Sequence, residues 1–266
     1  MAPAYIAGDR VEDAMRVCAR LQARGWGVTV CPWDDETDPH HEMARRYAEA
    51  LVALRRAGGD GYLSVKAPSF GYDRALLADL VAIAEEDGRR IHFDSMYPQS
   101  AQPTLDLVRA AAGIYPHLGC TLPARWPRSL QDVAAVAGAV ETVRVVKGQW
   151  ADPVHPDTGV EDRYEAIVRA LAGRVPRVAV ASHDPPLVAR CLDILAASDS
   201  ACELELLYGL PRGVARLAAE RGVPVRMYVP YGVAYLPYAL NDLRRRPRIL
   251  AWIARDMAVR ALGLRR

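Results

Sequence analysis

The side chains best suited to chemistry in this chain stand at the ends of short apolar runs, one after another along the sequence. The first run leads into Trp33-Asp34-Asp35, the second ends at Lys66 and the third carries Asp94. The fifth holds Arg144 and Lys147, and the sixth ends in Ser182-His183-Asp184. The seventh contains Glu203, Glu205 and Tyr208, and the eighth Tyr228 and Tyr231. One such group alone is more often a satisfied core residue than a catalyst. Seven of the eight runs deliver one, which points to a shared site.

Lys147-Gly148 suits an anion cradle, because glycine lets backbone N–H groups approach a ligand closely. Strand alternation opposes Arg144 to Val143 and Val145, and also to Lys147. Both cations therefore reach one site only if the strand ends near Lys147. Together they call for an anionic partner, either a phosphate-bearing cofactor or a neighbouring carboxylate, Asp94 or Glu203. His40-His41, beside Asp38 and Glu42, reads as a solvent-side cap ahead of a helix. His183 and Asp184 have no second His or Cys at ligand spacing, so no metal site is expected. No GxSxG elbow marks a serine nucleophile.

The elements that must position these groups are eight β-rich runs, at 27–31, 62–66, 91–94, 119–122, 143–147, 178–182, 203–207 and 225–229. A helical segment follows each, and an amphipathic helix over 11–24 precedes the first, with Ala14, Met15, Val17, Cys18 and Leu21 on its apolar side. Such alternation implies parallel strands joined by crossover helices. Eight units without a break in composition favour closure into an α/β (β/α)8 TIM-like barrel, with an extra N-terminal helix and a C-terminal helix over the mouth. A single domain over 1–266 is expected, close to the usual size of about 250 residues for such barrels. No GxGxxG follows the first strand, which argues against a dinucleotide fold. Gly58-Gly59-Asp60-Gly61 reads as a connection into the second strand.

The 34 Lys and Arg residues nearly balance 32 Asp and Glu, giving +2 and no global field for nucleic acid. The basic stretch 244–248 reads as solvated helix surface. Five scattered cysteines without metal spacing fit a reducing, cytoplasmic setting. No apolar segment reaches the ~20 residues that span a bilayer.

In these motifs the chain resembles the proline dehydrogenase family. The resemblance runs from Tyr5-Ile6-Ala7-Gly8 through Ser64-Val65-Lys66 and Phe93-Asp94. Arg144-Val145-Val146-Lys147-Gly148-Gln149-Trp150 is similar to the family's Arg-x-Val-Lys-Gly-Ala-Tyr strand. Ala181-Ser182-His183-Asp184 resembles Ala-Thr-His-Asp/Asn, and 203–209 resembles Glu-Phe-Gln-x-Leu-Tyr-Gly. Residues 226–232 are similar to Arg-x-Tyr-x-Pro-Tyr-Gly. The resemblance implies FAD across the barrel mouth and hydride transfer from a C–H beside nitrogen. It places Arg144, Lys147, Gly148, Gln149, Trp150, Ser182, His183, Asp184 and Glu203 on the cofactor. It places Lys66, Asp94, Tyr228 and Tyr238 on the substrate side. The electron acceptor, whether quinone, dioxygen or another, stays open.

One departure bears on substrate. The family's last helix carries Tyr-x-x-Arg-Arg-x-x-Glu, whose arginines grip the proline carboxylate. Here, aligned without gaps, Tyr238 is followed by Asn241-Asp242, with Arg245 in place of the Glu. Losing such a charge-assisted grip typically costs about 2–5 kcal/mol. A neutral or cationic amine is therefore expected in place of proline, oxidised at a C–N or N–N bond, with Asn241 and Asp242 facing it. Two alternatives stay open: Arg244-Arg245, one turn further on, restores the grip, or the protein is a silent flavin-binding relative. The usual Gln on strand four is Pro123, and that on strand seven is Glu205; Pro123 also removes a backbone donor.

Overall fold

The computed structural model describes residues 5–34 and 38–232. Its first element is the predicted extra helix, α1 (Val11–Gln22), whose Ala14, Val17, Cys18 and Leu21 are buried. Then β1 (Gly27–Pro32), β2 (Gly61–Val65), β3 (Ile91–Phe93), β4 (Leu118–Pro123), β5 (Thr142–Val146), β6 (Arg177–Ala181), β7 (Ala201–Leu207) and β8 (Val225–Tyr231) form a closed barrel in chain order. All pairings are parallel, and closure is made by β8 on β1, with Thr29 opposite Tyr228. Crossovers are supplied by α2 (His40–Ala57), α3 (Arg74–Glu85), α4 (Ala101–Ala112), α5 (Arg128–Val136), α6 (Val160–Leu171), α7 (Pro185–Ala196) and α8 (Val214–Glu220). The predicted helix over the mouth, with Tyr238, Asn241, Asp242 and Arg244-Arg245, lies outside the described residues. So does Asp35.

The helices form because each sequence supplies one apolar stripe at helical spacing. On α2 the stripe is Met43, Tyr47, Leu51 and Leu54, all buried against the barrel. Each large apolar side chain fully buried contributes roughly 1.5–3 kcal/mol. Asp73 and Asp184 start α3 and α7 by accepting backbone N–H groups of the first turn, and Pro185 follows Asp184 where no N–H is needed. His40-His41 form the first turn of α2 behind Pro39, which makes no side-chain cap bond. The capping role expected of them is therefore not met; the chain enters the helix two residues earlier than the sequence suggested.

Outward-facing residues such as Val28, Val30, Val143, Val145, Val178 and Val180 are buried under the helices. The barrel interior is different. Barrels of this kind are usually filled by branched apolar side chains. Here Thr29, Ser64, His92, Thr121, Arg144, Glu203, Glu205 and Arg226 are buried within it. Several of them bond one another across the barrel: Thr29 Oγ1 donates to Glu205 Oε1 at 2.7 Å, spanning β1 to β7. No helix among the described residues is long and apolar enough to cross a membrane.

Candidate active site

A cavity of about 360 Å³ opens at the carboxyl ends of the strands, where barrel enzymes place their chemistry. Its walls bring together Lys66, Asp94, Arg144, Lys147, His183 and Tyr228 from five strand ends and the residues after them. Gly148 and Gln149 also line it.

On one side stands a dense polar network. Asp94, just beyond β3, accepts from Tyr228 Oη at 2.6 Å, Ser64 Oγ at 2.8 Å and Arg144 at 2.6 Å. Arg144 also forks onto Glu205, at 2.7 and 2.9 Å, and reaches Tyr62 Oη at 3.1 Å. A weaker 3.5 Å contact to Thr121 leaves no donor of this guanidinium over. Burial opposes the charge on Arg144, but Glu205, with Tyr62 and Asp94, outweighs it and raises its pKa well above the ordinary value. Burial, reinforced by Asp94, likewise lifts the Tyr228 phenol well above its usual range. Tyr228 therefore stays a neutral donor to Asp94.

The sequence left Arg144 a choice between a cofactor phosphate and a neighbouring carboxylate, Asp94 or Glu203; here it pairs with Asp94 and with Glu205. Glu203 does not line the cavity. It sits two residues below Glu205 on β7, so it points the same way but about 7 Å deeper. There it accepts from Arg226 Nε at 3.0 Å, near the N-terminal end of the barrel and away from the cavity walls.

The opposite side fits a phosphate-bearing group better. β5 ends at Val146, so Lys147 escapes the alternation and joins Arg144 at the mouth. Lys147 pairs with Glu161 at 2.8 Å and Asp184 at 3.1 Å, in a partly exposed setting. Burial opposes its charge, but these two carboxylates raise its pKa. Such exposed pairs are weak and exchange readily for another anion. Gly148 has φ +94°, and a Cβ there would stand 2.9 Å from Pro123 Cβ. Only glycine lets the backbone lie this close to β4, a packing reason for glycine here. The chain beyond is tied down through its carbonyls: Gln149 O accepts from Arg125 and Trp150 O from Trp126, both at 2.8 Å. Trp150, Ser182 and Asp184 are not among the cavity walls; Asp184 caps α7. Held this way, Lys147, Gly148 and Gln149 fit the phosphates and polar edge of a flavin cofactor.

His183 is fixed in one tautomer. Leu207 N–H donates to its Nε2 at 3.0 Å, so Nδ1 carries the proton and donates to Pro211 O at 2.9 Å. Burial lowers its pKa against the opposing bond to Pro211. Burial, reinforced by Arg144, holds His92 well below its ordinary value. Both imidazoles are thus neutral in the fold, and the unfolded chain binds more protons once the pH drops below about 6.5. Their contribution to stability is complete above that pH and is lost as the pH falls toward the folded values. The thermal midpoint should drop by a few degrees between about pH 7.5 and about pH 5.5, given roughly 2–4 °C per kcal/mol at this size. A midpoint constant over that window contradicts the assignment.

The residues that sequence reasoning missed are Thr29, Tyr62, Ser64 and Thr121, which hold Arg144, Asp94 and Glu205 in place.

The sequence model described as proline dehydrogenase matches residues 15–246. The chain belongs to the proline dehydrogenase family. Curated relatives include proline dehydrogenase 1 of Bacillus subtilis (strain 168), 23% identical over 95% of this chain and 89% of that protein. The proline dehydrogenase of Deinococcus radiodurans is 26% identical over 97% and 90%. Among solved structures, the proline utilization A of Bdellovibrio bacteriovorus, inactivated by N-propargylglycine, superposes with a TM-score of 0.76 at 19% identity over 86% of this chain. That of Corynebacterium freiburgense gives 0.74 at 18% over 92%. This chain spans only 30% and 31% of those two proteins, and the likeness shows the fold. Membership of the proline dehydrogenase family makes this an enzyme of a flavin-dependent class that acts on CH–NH donors.

Proposed function

We infer that this proline dehydrogenase family member is an FAD-dependent oxidoreductase that oxidises a C–N or N–N bond of a small amine-type substrate other than proline. The observation that carries the reading is the two-sided mouth, with Lys147-Gly148-Gln149 on one flank and the Asp94–Arg144–Tyr228 network on the other. FAD bound there supplies acceptance of a hydride from the carbon beside nitrogen. The chain's own groups hold and orient. Lys147 and the 148–149 backbone would meet the phosphates, and His183 would wall the cofactor side. Asp94, held by Ser64, Arg144 and Tyr228, would face the amine beside Tyr228. Five free cysteines among the described residues suit a reducing cytoplasm.

Exclusion of proline rests on Asn241-Asp242, where an arginine pair would grip a carboxylate. A second reading, oxidation of proline itself with Arg244-Arg245 as the grip, is favoured by the names of the Bacillus and Deinococcus relatives. One experiment separates them. The purified protein should be yellow, and anaerobic proline should leave its flavin oxidised. Asn241→Arg with Asp242→Arg should then raise proline-dependent flavin reduction at least about thirtyfold. Bleaching by proline before any substitution, with no gain afterwards, establishes the second reading in its place. Colourless protein sinks both.

A further inference from the structure

Asp34 follows β1 directly, and its carboxylate is 2.6 Å from Lys66 Nζ. Both side chains are buried, at 11% and 6% exposure. The arrangement is built rather than incidental. β2 ends at Val65, and the 3-10 turn Ala67–Phe70 that follows Lys66 carries Ser69 back to hydrogen-bond the other Asp34 oxygen. Trp33 lies beside the pair, its ring centroid 5.4 Å from the ammonium. Lys66 and Trp33 line the cavity; Asp34 stands behind them.

The charge balance of this flank follows. Its two cations are Lys66 and Arg144, and its carboxylates are Asp34, Asp94 and Glu205, so the described groups sum to one negative charge. Lys147, across the mouth, is matched by both Glu161 and Asp184. Each described cation on the cavity wall is thus paired with at least one carboxylate. An incoming carboxylate would have to displace a buried anion from Lys66 or Arg144. An incoming ammonium meets an excess of negative charge and displaces no ion-paired carboxylate.

We propose that Asp34 is a specificity-determining residue, which by holding Lys66 withdraws it from the substrate and selects amines that carry no carboxylate. This rests on the reading of the mouth as an amine-oxidising site, and it names the class of amine. In the reading above Asn241-Asp242 act on the same carboxylate, so it is the change that Asp34→Asn makes in the preference that assigns a share of it to Asp34.

Pyrrolidine and proline test it, since both carry the ring ammonium and differ only in the carboxylate. Anaerobic calorimetric titration of the flavin-loaded protein, with its flavin reduced beforehand, reads binding without turnover. The unaltered protein should bind pyrrolidine at least about tenfold more tightly than proline. Asp34→Asn keeps the shape and the bond to Ser69 while removing the anion beside the Lys66 ammonium. It should shift the proline-to-pyrrolidine preference toward proline by at least about tenfold. Adding Lys66→Met should cancel that shift. A merely structural role for Asp34 would weaken both ligands together and leave their ratio alone. The proposal is overturned by a ratio that Asp34→Asn does not move, or by tighter binding of proline to the unaltered protein. The second comparison needs no variant and stands if Asp34→Asn does not fold. Neither result depends on flavin reduction by the ligand, so a failure here is distinct from a failure to oxidise amines.

Discussion

Arg144→Met should cost about 3–5 kcal/mol of folding stability, against a total that for most domains is only about 5–15 kcal/mol. Arg144 is 3% exposed and is shared by two carboxylates, Asp94 and Glu205, that have no other cation within ion-pair distance among the described residues. Met fills most of the volume and removes all of the charge. Glu205 then keeps Thr29 and Tyr62 as donors, and Asp94 keeps Ser64 and Tyr228. Four neutral donors do not replace a fork of charged ones. The measurement is urea unfolding at several pH values. Because protonating a carboxylate removes the uncompensated charge, the deficit should narrow as the pH is lowered. Adding Glu205→Gln to Arg144→Met should restore part of it by the same logic. A loss under about 1 kcal/mol, or a deficit indifferent to pH, would mean that solvent reaches these carboxylates.

The barrel was legible from the alternation of runs. All eight strands fall within two residues of the predicted bounds, because short β-branched runs bounded by turns leave little else for the chain to do. The convergence of Lys66, Asp94, Arg144, Lys147 and Tyr228 on one mouth followed from topology, since every parallel strand ends at the same face. Depth was harder to read. Glu203 and Glu205 share a face, and nothing local says that only the second reaches the cavity. That needs the register of β7 against β6 and β8, where Glu205 stands beside Ala181 and Arg226. The polar interior did leave a signal. Thr29 lies between Val28 and Val30, Ser64 between Leu63 and Val65, and His92 between Ile91 and Phe93. Parallel strands buried on both faces normally read as continuous apolar runs. A polar residue at the centre of several such runs therefore marks an interior that binds charge. The Asp34–Lys66 pair left no such mark, because two loops meet there and no periodicity links them.

Arg226→Met should destabilise the fold on a similar scale, about 3–5 kcal/mol, while leaving the mouth nearly untouched. Arg226 is 3% exposed and holds Glu203 at 3.0 Å, Asp60 at 2.7 Å and the Val28 carbonyl at 2.9 Å. Burial opposes its charge, but Glu203, with Tyr62 and Asp60, raises its pKa above the ordinary value. None of these groups lines the cavity. Pyrrolidine affinity should therefore stay within about twofold after Arg226→Met and change at least about tenfold after Arg144→Met. One residue joins the two layers. The Tyr62 ring lies 4.5 Å from Arg226 and 4.7 Å from Arg90, while its hydroxyl bonds Arg144 and Glu205 above. Combining Arg144→Met with Arg226→Met should accordingly show a coupling of about 0.5–3 kcal/mol, as for residues in one network. Tyr62→Phe keeps the ring between the guanidiniums and removes the hydroxyl. On that background the two losses should add to within about 0.5 kcal/mol. Coupling that survives Tyr62→Phe would have to run through the strands themselves, and the upper layer would then owe its geometry to the lower one.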